Sequence, residues 1–322
     1  GRPSLHKYNL VIEAVKSELL GEWDLMRRTN LKQTQVRVIK SDLIEQQIIR
    51  EVTFGRSKKF EYIPGAPPLN AKIFEELRTE KTRELERMIC YAETTMSRMK
   101  YLCDFLGDNH GHSFENCDNT GLKKFSVNIT PAWSEKLLAY RENCFPNLEV
   151  VSRGSNIVNG IAAAYYGVTH IGAAIHRSKY EAGGDFPDFL LRLSLKAFRK
   201  RYEQEQFDLV LYVPPTRSGD LVGNFARKIA SVLKFPLSHF LIKKRETKEQ
   251  KIFENHVLKA DNVKGAFTFQ HPEEIRDKSI LLIDDVYDSG ATIKEIGRYL
   301  TSLGAVKIAP LVIAKTVGGD LL

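Results

Sequence analysis

The residues best suited to chemistry stand together near the end of the chain, in Ile280-Leu281-Leu282-Ile283-Asp284-Asp285-Val286-Tyr287-Asp288-Ser289-Gly290-Ala291-Thr292. Adjacent carboxylates repel each other, and a chain keeps such a pair most readily where hydroxyls or a divalent cation compensate it. The small residues that follow, Asp288 to Thr292, bring two hydroxyls and a glycine, so successive backbone N–H groups can converge on a phosphate at a helix N-terminus. A diol on the acids and a phosphate in the loop describe a ribose 5-phosphate. An ordinary buried strand leading into a capped helix accounts for the apolar run and for Ser289, but not for two acids in a row.

These residues need a sheet to hold them. The four apolar residues before the acids do not alternate with polar ones, the pattern of a strand covered on both faces. Asp284 and Asp285 then fall at its carboxyl end, where open parallel sheets bind ligands. Ile293 to Leu303 reads as the helix after the loop. Upstream, Asp208 to Val213 reads as a β-branched-rich strand, with Pro214-Pro215-Thr216-Arg217-Ser218-Gly219 and a helix from Asp220 to Leu233 behind it. Val306 to Ala314 reads as a closing strand. The fold class expected is α/β with a Rossmann-like parallel sheet.

The stretch from Ile280 to Thr292 closely resembles the phosphoribosyl-pyrophosphate (PRPP) loop of the type I phosphoribosyltransferases. The resemblance implies that Asp284 and Asp285 hold the ribose hydroxyls and that Asp288, Ser289, Gly290, Ala291 and Thr292 bind the 5-phosphate. Asp288 also matches the position of a residue that handles a base proton in some members. The same resemblance makes Arg217, Ser218 and Gly219 the pyrophosphate loop and implies Mg2+ as the cofactor, bound with PRPP. A further segment, Lys243-Lys244-Arg245-Glu246-Thr247-Lys248-Glu249-Gln250 with Asn262-Val263-Lys264-Gly265-Ala266-Phe267, resembles the R-x-T-x-x-Q … N-V-x-G-A-F pattern of ComF-type phosphoribosyltransferases. There it is a mobile loop that closes over pyrophosphate, and Lys243, Lys244 and Arg245 supply the positive charge for closure. Tyr165-Tyr166-Gly167-Val168 and His176-Arg177-Ser178-Lys179-Tyr180 resemble the first helical stretch of the same family. The nucleobase is left open, and residues 125 to 205 are the available cover.

The beginning of the chain has another character. Asn9 to Leu20 carries apolar residues at helical spacing, Trp23 to Met26 begins a short helix, and Lys32 to Ile49 has Val36, Ile39, Leu43 and Ile44 on one face. Glu51 to Phe54 and Lys58 to Tyr62 flank Gly55-Arg56-Ser57 as a hairpin. Three helices and then a hairpin is the winged-helix order. The polar face of the third helix, with Lys32, Gln33, Gln35, Arg37, Lys40 and Ser41, offers residue types that contact phosphates and base edges, and Arg56, Lys58 and Lys59 sit at the hairpin. Residues 1 to 70 hold 12 Lys and Arg against 8 Asp and Glu, so half of the net charge of +8 lies in under a quarter of the 322 residues. DNA is the partner this implies.

Residues 71 to 122 begin with a charged helix from Ala71 to Met99 and end in Tyr101-Leu102-Cys103-Asp104-Phe105-Leu106-Gly107-Asp108 … Asn116-Cys117-Asp118-Asn119; this stretch resembles the zinc-binding subdomain of RecQ-family DNA helicases, with a difference at the ligands. Met96, Phe114 and Thr120 stand where three of four ligand cysteines belong, and Cys117 alone remains. One cysteine cannot hold a tetrahedral zinc, so no zinc is expected, with Cys103, His110, His112 and Cys117 as a replacement set to be tested. The four cysteines, Cys90, Cys103, Cys117 and Cys144, form no C-x-x-C pair, which suits a reducing cytoplasm. No run of 18 apolar residues and no secretory signal occurs.

The domains expected are a winged helix over 1–70, a degenerate RecQ zinc-type helical hairpin over 71–124 and a ComF-like phosphoribosyltransferase domain over 125–322. RecQ-like helicases of the RqlH type combine these pieces, which implies an upstream helicase motor; the sequence has no G-x-x-x-x-G-K-[ST] loop of its own. A bacterial, nucleoid-associated cytoplasmic protein is the setting implied. Two other readings fit the same residues: a nucleotide-salvage enzyme with a regulatory winged helix, or a retired phosphoribosyltransferase domain that grips DNA ends or a protein partner. Turnover, as distinct from binding, is open.

Overall fold

Alternation in the strands explains how the sheet is covered. In the strand Ser279–Tyr287, Leu281 and Ile283 enter one apolar core while Ile280 and Leu282 enter another, so both faces are buried as the unbroken apolar run requires. The computed structural model describes residues 2–55, 57–108, 117–120, 128–167, 169–181, 185–216 and 219–317, without the side chains of Phe54, Arg141 and Glu142. Two compact units divide the chain: Gly1–Glu22 with Thr34–Leu138, and Trp23–Gln33 with Ala139–Leu322.

Three helices open the chain, α1 (Leu5–Ser17), α2 (Glu22–Thr29) and α3 (Gln33–Glu45), followed by an antiparallel hairpin of β1 (Ile49–Phe54) and β2 (Ser57–Tyr62). The order is the one the apolar spacing predicts. From Trp23 onward α2 belongs to the second unit. In the first unit Tyr8, Val11, Val36, Ile39, Leu43 and Phe60 are buried, Leu20 bridges to Phe60, and the Tyr8 hydroxyl donates to Asp42.

The single helix expected from Ala71 to Met99 is two helices, α4 (Lys72–Glu93) and α5 (Arg98–Phe105). Thr94 leaves the helix with ψ 140, and the Ser97 side chain accepts the N–H of Lys100, starting a second helix where apolar periodicity reads straight on. Cys117 is buried; its sulfur accepts the Arg98 N–H at 3.2 Å, and Arg98 Nε meets Asp118 Oδ1 at 2.9 Å. His110, His112 and Phe114 lie outside the described residues.

After α6 (Pro131–Asn143), the second unit runs β3 (Asn147–Leu148), β4 (Gly160–Tyr166), α7 (His170–Tyr180), α8 (Asp188–Tyr202), β5 (Leu209–Tyr212), α9 (Leu221–Leu233), β6 (Leu241–Lys243), α10 (His256–Val263), β7 (Phe267–Phe269), β8 (Ser279–Tyr287), α11 (Ala291–Ser302) and β9 (Lys307–Thr316). The main sheet has the order β3-β4-β9-β8-β5, parallel except for β3 on β4. Residues of α7, α8 and α9 join the core on one face; those of α11 and of the separate β6–β7 pair join the core on the other. This is an α/β fold with a mostly parallel central sheet. One expectation fails: Tyr165 and Tyr166 belong to β4 rather than to a helical stretch, because the Gly160–Ala164 run ahead of them is buried in the sheet beside β9. No helix among the described residues is long and apolar enough to cross a membrane.

Candidate functional site

The acid pair lies inside β8 rather than at its last residue, since the strand continues to Tyr287 and pairs with β9 up to Lys315. Because strand side chains alternate, neighbouring acids face opposite sides of the sheet. Asp285 has the parity of Leu281 and Ile283, the side of α7, and its Oδ2 lies 2.6 Å from Lys179 Nζ with both side chains largely buried. Asp284 has the parity of Ile280 and Leu282, the side of β6, and its Oδ1 accepts the Asp285 N–H at 2.8 Å. Desolvation and the neighbouring Asp285 carboxylate push the Asp284 pKa up to about 8. Burial acts to lower the pKa of Lys179, but the carboxylates of Asp285 and Asp284 outweigh it and the net shift is upward. Burial lowers the pKa of Lys243, opposed by Asp284.

The loop after β8 turns on Gly290, whose φ of 73° suits glycine; a Cβ there would sit 2.6 Å from the Tyr287 hydroxyl, which itself donates to the Glu149 carbonyl at 3.2 Å. Gly290 gives α11 no side-chain cap, so first-turn N–H groups are open to another acceptor; among the described residues Ala291 N makes a long 3.4 Å contact with Ser289 Oγ. The helix dipole adds attraction for an anion. Asp288 brings a negative charge into this cradle. Lys259 of α10 pairs with it, and Thr316 Oγ1 donates to its Oδ1 at 3.0 Å.

The basic cluster expected at 243–245 is split by the fold. Lys243 points to the site, donating to Thr216 Oγ1 at 2.6 Å and sensing Asp284. Arg245 does not: its Nη2 is held at 2.9 Å by the carbonyls of both Asn262 and Lys264, which close the 244–266 excursion on itself. Lys244 is exposed. Arg217 and Ser218 lie outside the described residues, and Gly219 has a φ of 57° just ahead of α9. The sequence assigns no role to Lys179 or Lys259. A buried acid pair demands a counter-charge, which is a signal for some lysine, but nothing local to His176–Tyr180 or to α10 marks which one.

At the other set of expected contacts, Arg37 Nε and Lys40 Nζ both reach Glu22, at 3.0 and 2.6 Å, and Lys40 lies 4.2 Å over the Phe60 ring. Lys40 therefore faces inward. Lys58 pairs with Glu51 at 2.7 Å, Lys32, Gln35 and Lys59 have partners of their own, and Arg56 lies outside the described residues.

Residues 196–318 match the phosphoribosyl transferase domain family. This segment is a phosphoribosyltransferase domain. Its limits enclose the acid pair, the glycine turn, Lys243 and Lys259, while Lys179 stands ahead of them. No curated protein matches the chain. Among solved structures, the allosteric regulatory enzyme of purine biosynthesis is 19% identical over 42% of this chain and 29% of its own, with a TM-score of 0.30. The purine phosphoribosyltransferase of Pyrococcus horikoshii Ot3 is 16% identical over 42% of this chain and 87% of its own, with a TM-score of 0.27. The adhesin competence repressor AdcR of Streptococcus pyogenes is 14% identical over 34% of this chain and 80% of its own, with a TM-score of 0.19. This chain thus spans under a third of the first of these, and overlays of such low score add nothing to the family match.

Proposed function

We propose that the phosphoribosyltransferase domain binds magnesium-PRPP or a related phosphoribosyl ligand. The observation that carries this is the union, on one strand-to-helix corner, of a partly buried acid whose pKa is raised to about 8 with an uncapped helix N-terminus on a positive-φ glycine. Asp284 takes the ribose hydroxyls, relieved of its repulsion when they or a cation arrive. Asp285, neutralised by Lys179, fixes the corner, and residues 288 to 292 receive the 5-phosphate. Lys243 and Gly219 are on the pyrophosphate side, and the family resemblance adds Arg217 and Ser218, which lie outside the described residues. The donor set fits Mg2+: the acids offer hard oxygen ligands, and because no cluster of three or more His, Cys, Asp or Glu occurs among the described residues, the ion would be carried chiefly by the ligand's phosphates. When bound, Mg2+ neutralises charge on the pyrophosphate.

The setting we propose is the C-terminal part of a RecQ-like DNA helicase with a ComF-like domain, in which the three helices and hairpin act as a DNA-binding winged helix and α4 and α5 as the degenerate zinc-type hairpin. Supporting this are the helix-hairpin order and the partial sequence resemblance over residues 71 to 122. With Lys40 turned inward, exposed Arg37 and Lys58 are the better candidates for phosphate contact.

Thermal unfolding with and without magnesium-PRPP tests the ligand. At about a hundredfold its dissociation constant a ligand adds about 2.7 kcal/mol, which raises the melting point by several degrees. The parent chain shifts and Asp284→Asn does not; no shift in the parent at millimolar ligand overturns the reading.

A further inference from the structure

One set of contacts in the second unit serves no purpose in ligand binding as described. Segment 23–33, read in the sequence as the second winged-helix helix and its exit, is gripped by the excursion that carries Lys259. Asn255, 3% exposed, donates from Nδ2 to the Met26 carbonyl at 2.9 Å while its Oδ1 caps α10 by accepting the Leu258 N–H at 3.0 Å. Asn30 makes a reciprocal pair, Nδ2 to the Ile252 carbonyl and Oδ1 from the Glu254 N–H, both at 3.0 Å. Arg27 Nε meets Asp261 Oδ2 at 2.8 Å, and the Trp23 and His256 rings meet edge to face at 5.3 Å. The contacts reach both ends of α10 and the turn before it.

Lys259 of that short helix pairs with Asp288. An eight-residue helix on a long excursion has little stability of its own, so its placement is decided by what it docks on. The placement matters because Asp288 lies in the loop whose N–H groups are proposed to receive a phosphate. An uncompensated carboxylate there repels the incoming anion; Lys259 cancels it and adds a donor.

We infer that segment 23–33 is a positioning clamp for the phosphate site, with Asn30, Asn255 and Arg27 acting through α10 to hold Lys259 on Asp288. The inference rests on the proposed phosphoribosyl reading for its effect on affinity, but not for the clamp itself. The clamp is spliced in sequence between Glu22 and Thr34, both part of the other compact unit.

Asn30→Gly is the decisive variant. Asn30 has a φ of 55°, so glycine keeps the backbone while both side-chain hydrogen bonds are lost. Asn255→Asp is the second, since it keeps the acceptor that caps α10 and loses the donor to Met26. Hydrogen exchange on the full chain reads the clamp without any ligand: in either variant the amides of Leu258 to Val263 exchange at least tenfold faster, and those of β8 keep the parent rate. Unchanged exchange in α10 in both variants overturns the clamp, whatever the ligand proves to be. Calorimetric titration with magnesium-PRPP then reads the consequence. Asn30→Gly weakens binding on the order of five- to tenfold, Lys259→Met does the same, and the double variant is no weaker than Lys259→Met alone. Additive losses overturn the route through Lys259. A parent chain that binds no magnesium-PRPP removes the ligand reading and the affinity effect together, and leaves the exchange result to decide the clamp.

Discussion

The proposed site has two halves built on different principles, the β8–α11 corner and the 244–266 excursion. The corner is continuous in sequence: apolar strand, acids, glycine turn and helix follow one another within about two dozen residues, and the sheet leaves them one conformation. The excursion takes its shape from elsewhere, with Arg245 folded onto its own far end and α10 held by segment 23–33. Groups fixed by a strand and a helix dipole need no partner to be in place, whereas Lys259 is in place only while its helix is docked. The proposed site thus joins a corner set by one continuous stretch of chain to a cation, Lys259, that tertiary contacts bring to Asp288.

The largest expected effect comes from breaking the corner. Asp285→Asn leaves buried Lys179 without its nearest counter-charge, a loss of about 3 kcal/mol by analogy with other broken buried pairs, and Lys179→Met added to it restores much of the stability in urea unfolding. Gly290→Ala comes next: the positive φ alone costs about 1–2 kcal/mol and the approach to the Tyr287 hydroxyl adds to it, so both stability and any magnesium-PRPP shift fall.

Asp284→Asn sharpens the comparison by working in the opposite sense. With a folded pKa of about 8 against about 4 in the unfolded chain, the folded state binds more protons between those values, and stability falls as pH rises through that window. Asparagine cannot ionise, so the variant loses this fall. Its melting temperature exceeds the parent's by a few degrees at pH 8.5 and matches it near pH 4, while ligand binding is lost. A gain of stability with a loss of binding identifies a group kept for its ligand. The smallest effect belongs to the excursion: Arg27→Ala removes an exposed ion pair and leaves the melting temperature within about one degree of the parent, even as α10 exchange rises.

The same contrast decides what could be read in advance. Ile280 to Thr292 declares strand, acid pair and glycine turn together because every signal there is local: an apolar run, a charge pair and a glycine. Apolar periodicity makes Ala71–Met99 one helix, but the chain leaves the helix at Thr94 and a cap at Ser97 starts a second one. Lys40 looked like a nucleic-acid contact, since no sequence rule tells an outward lysine from one drawn inward by Glu22 and the Phe60 ring.

The sequence by itself determined the mostly parallel sheet, the strand that carries Asp284 and Asp285 and the glycine turn beneath the helix, because backbone geometry and burial of consecutive residues suffice for each. Only the tertiary structure decided which of 48 lysines and arginines serve the acids. Lys179, Lys243 and Lys259 come from three elements distant in sequence. A counter-charge is chosen by distance in space, and that distance is set by packing across the sheet and by the docking of segment 23–33.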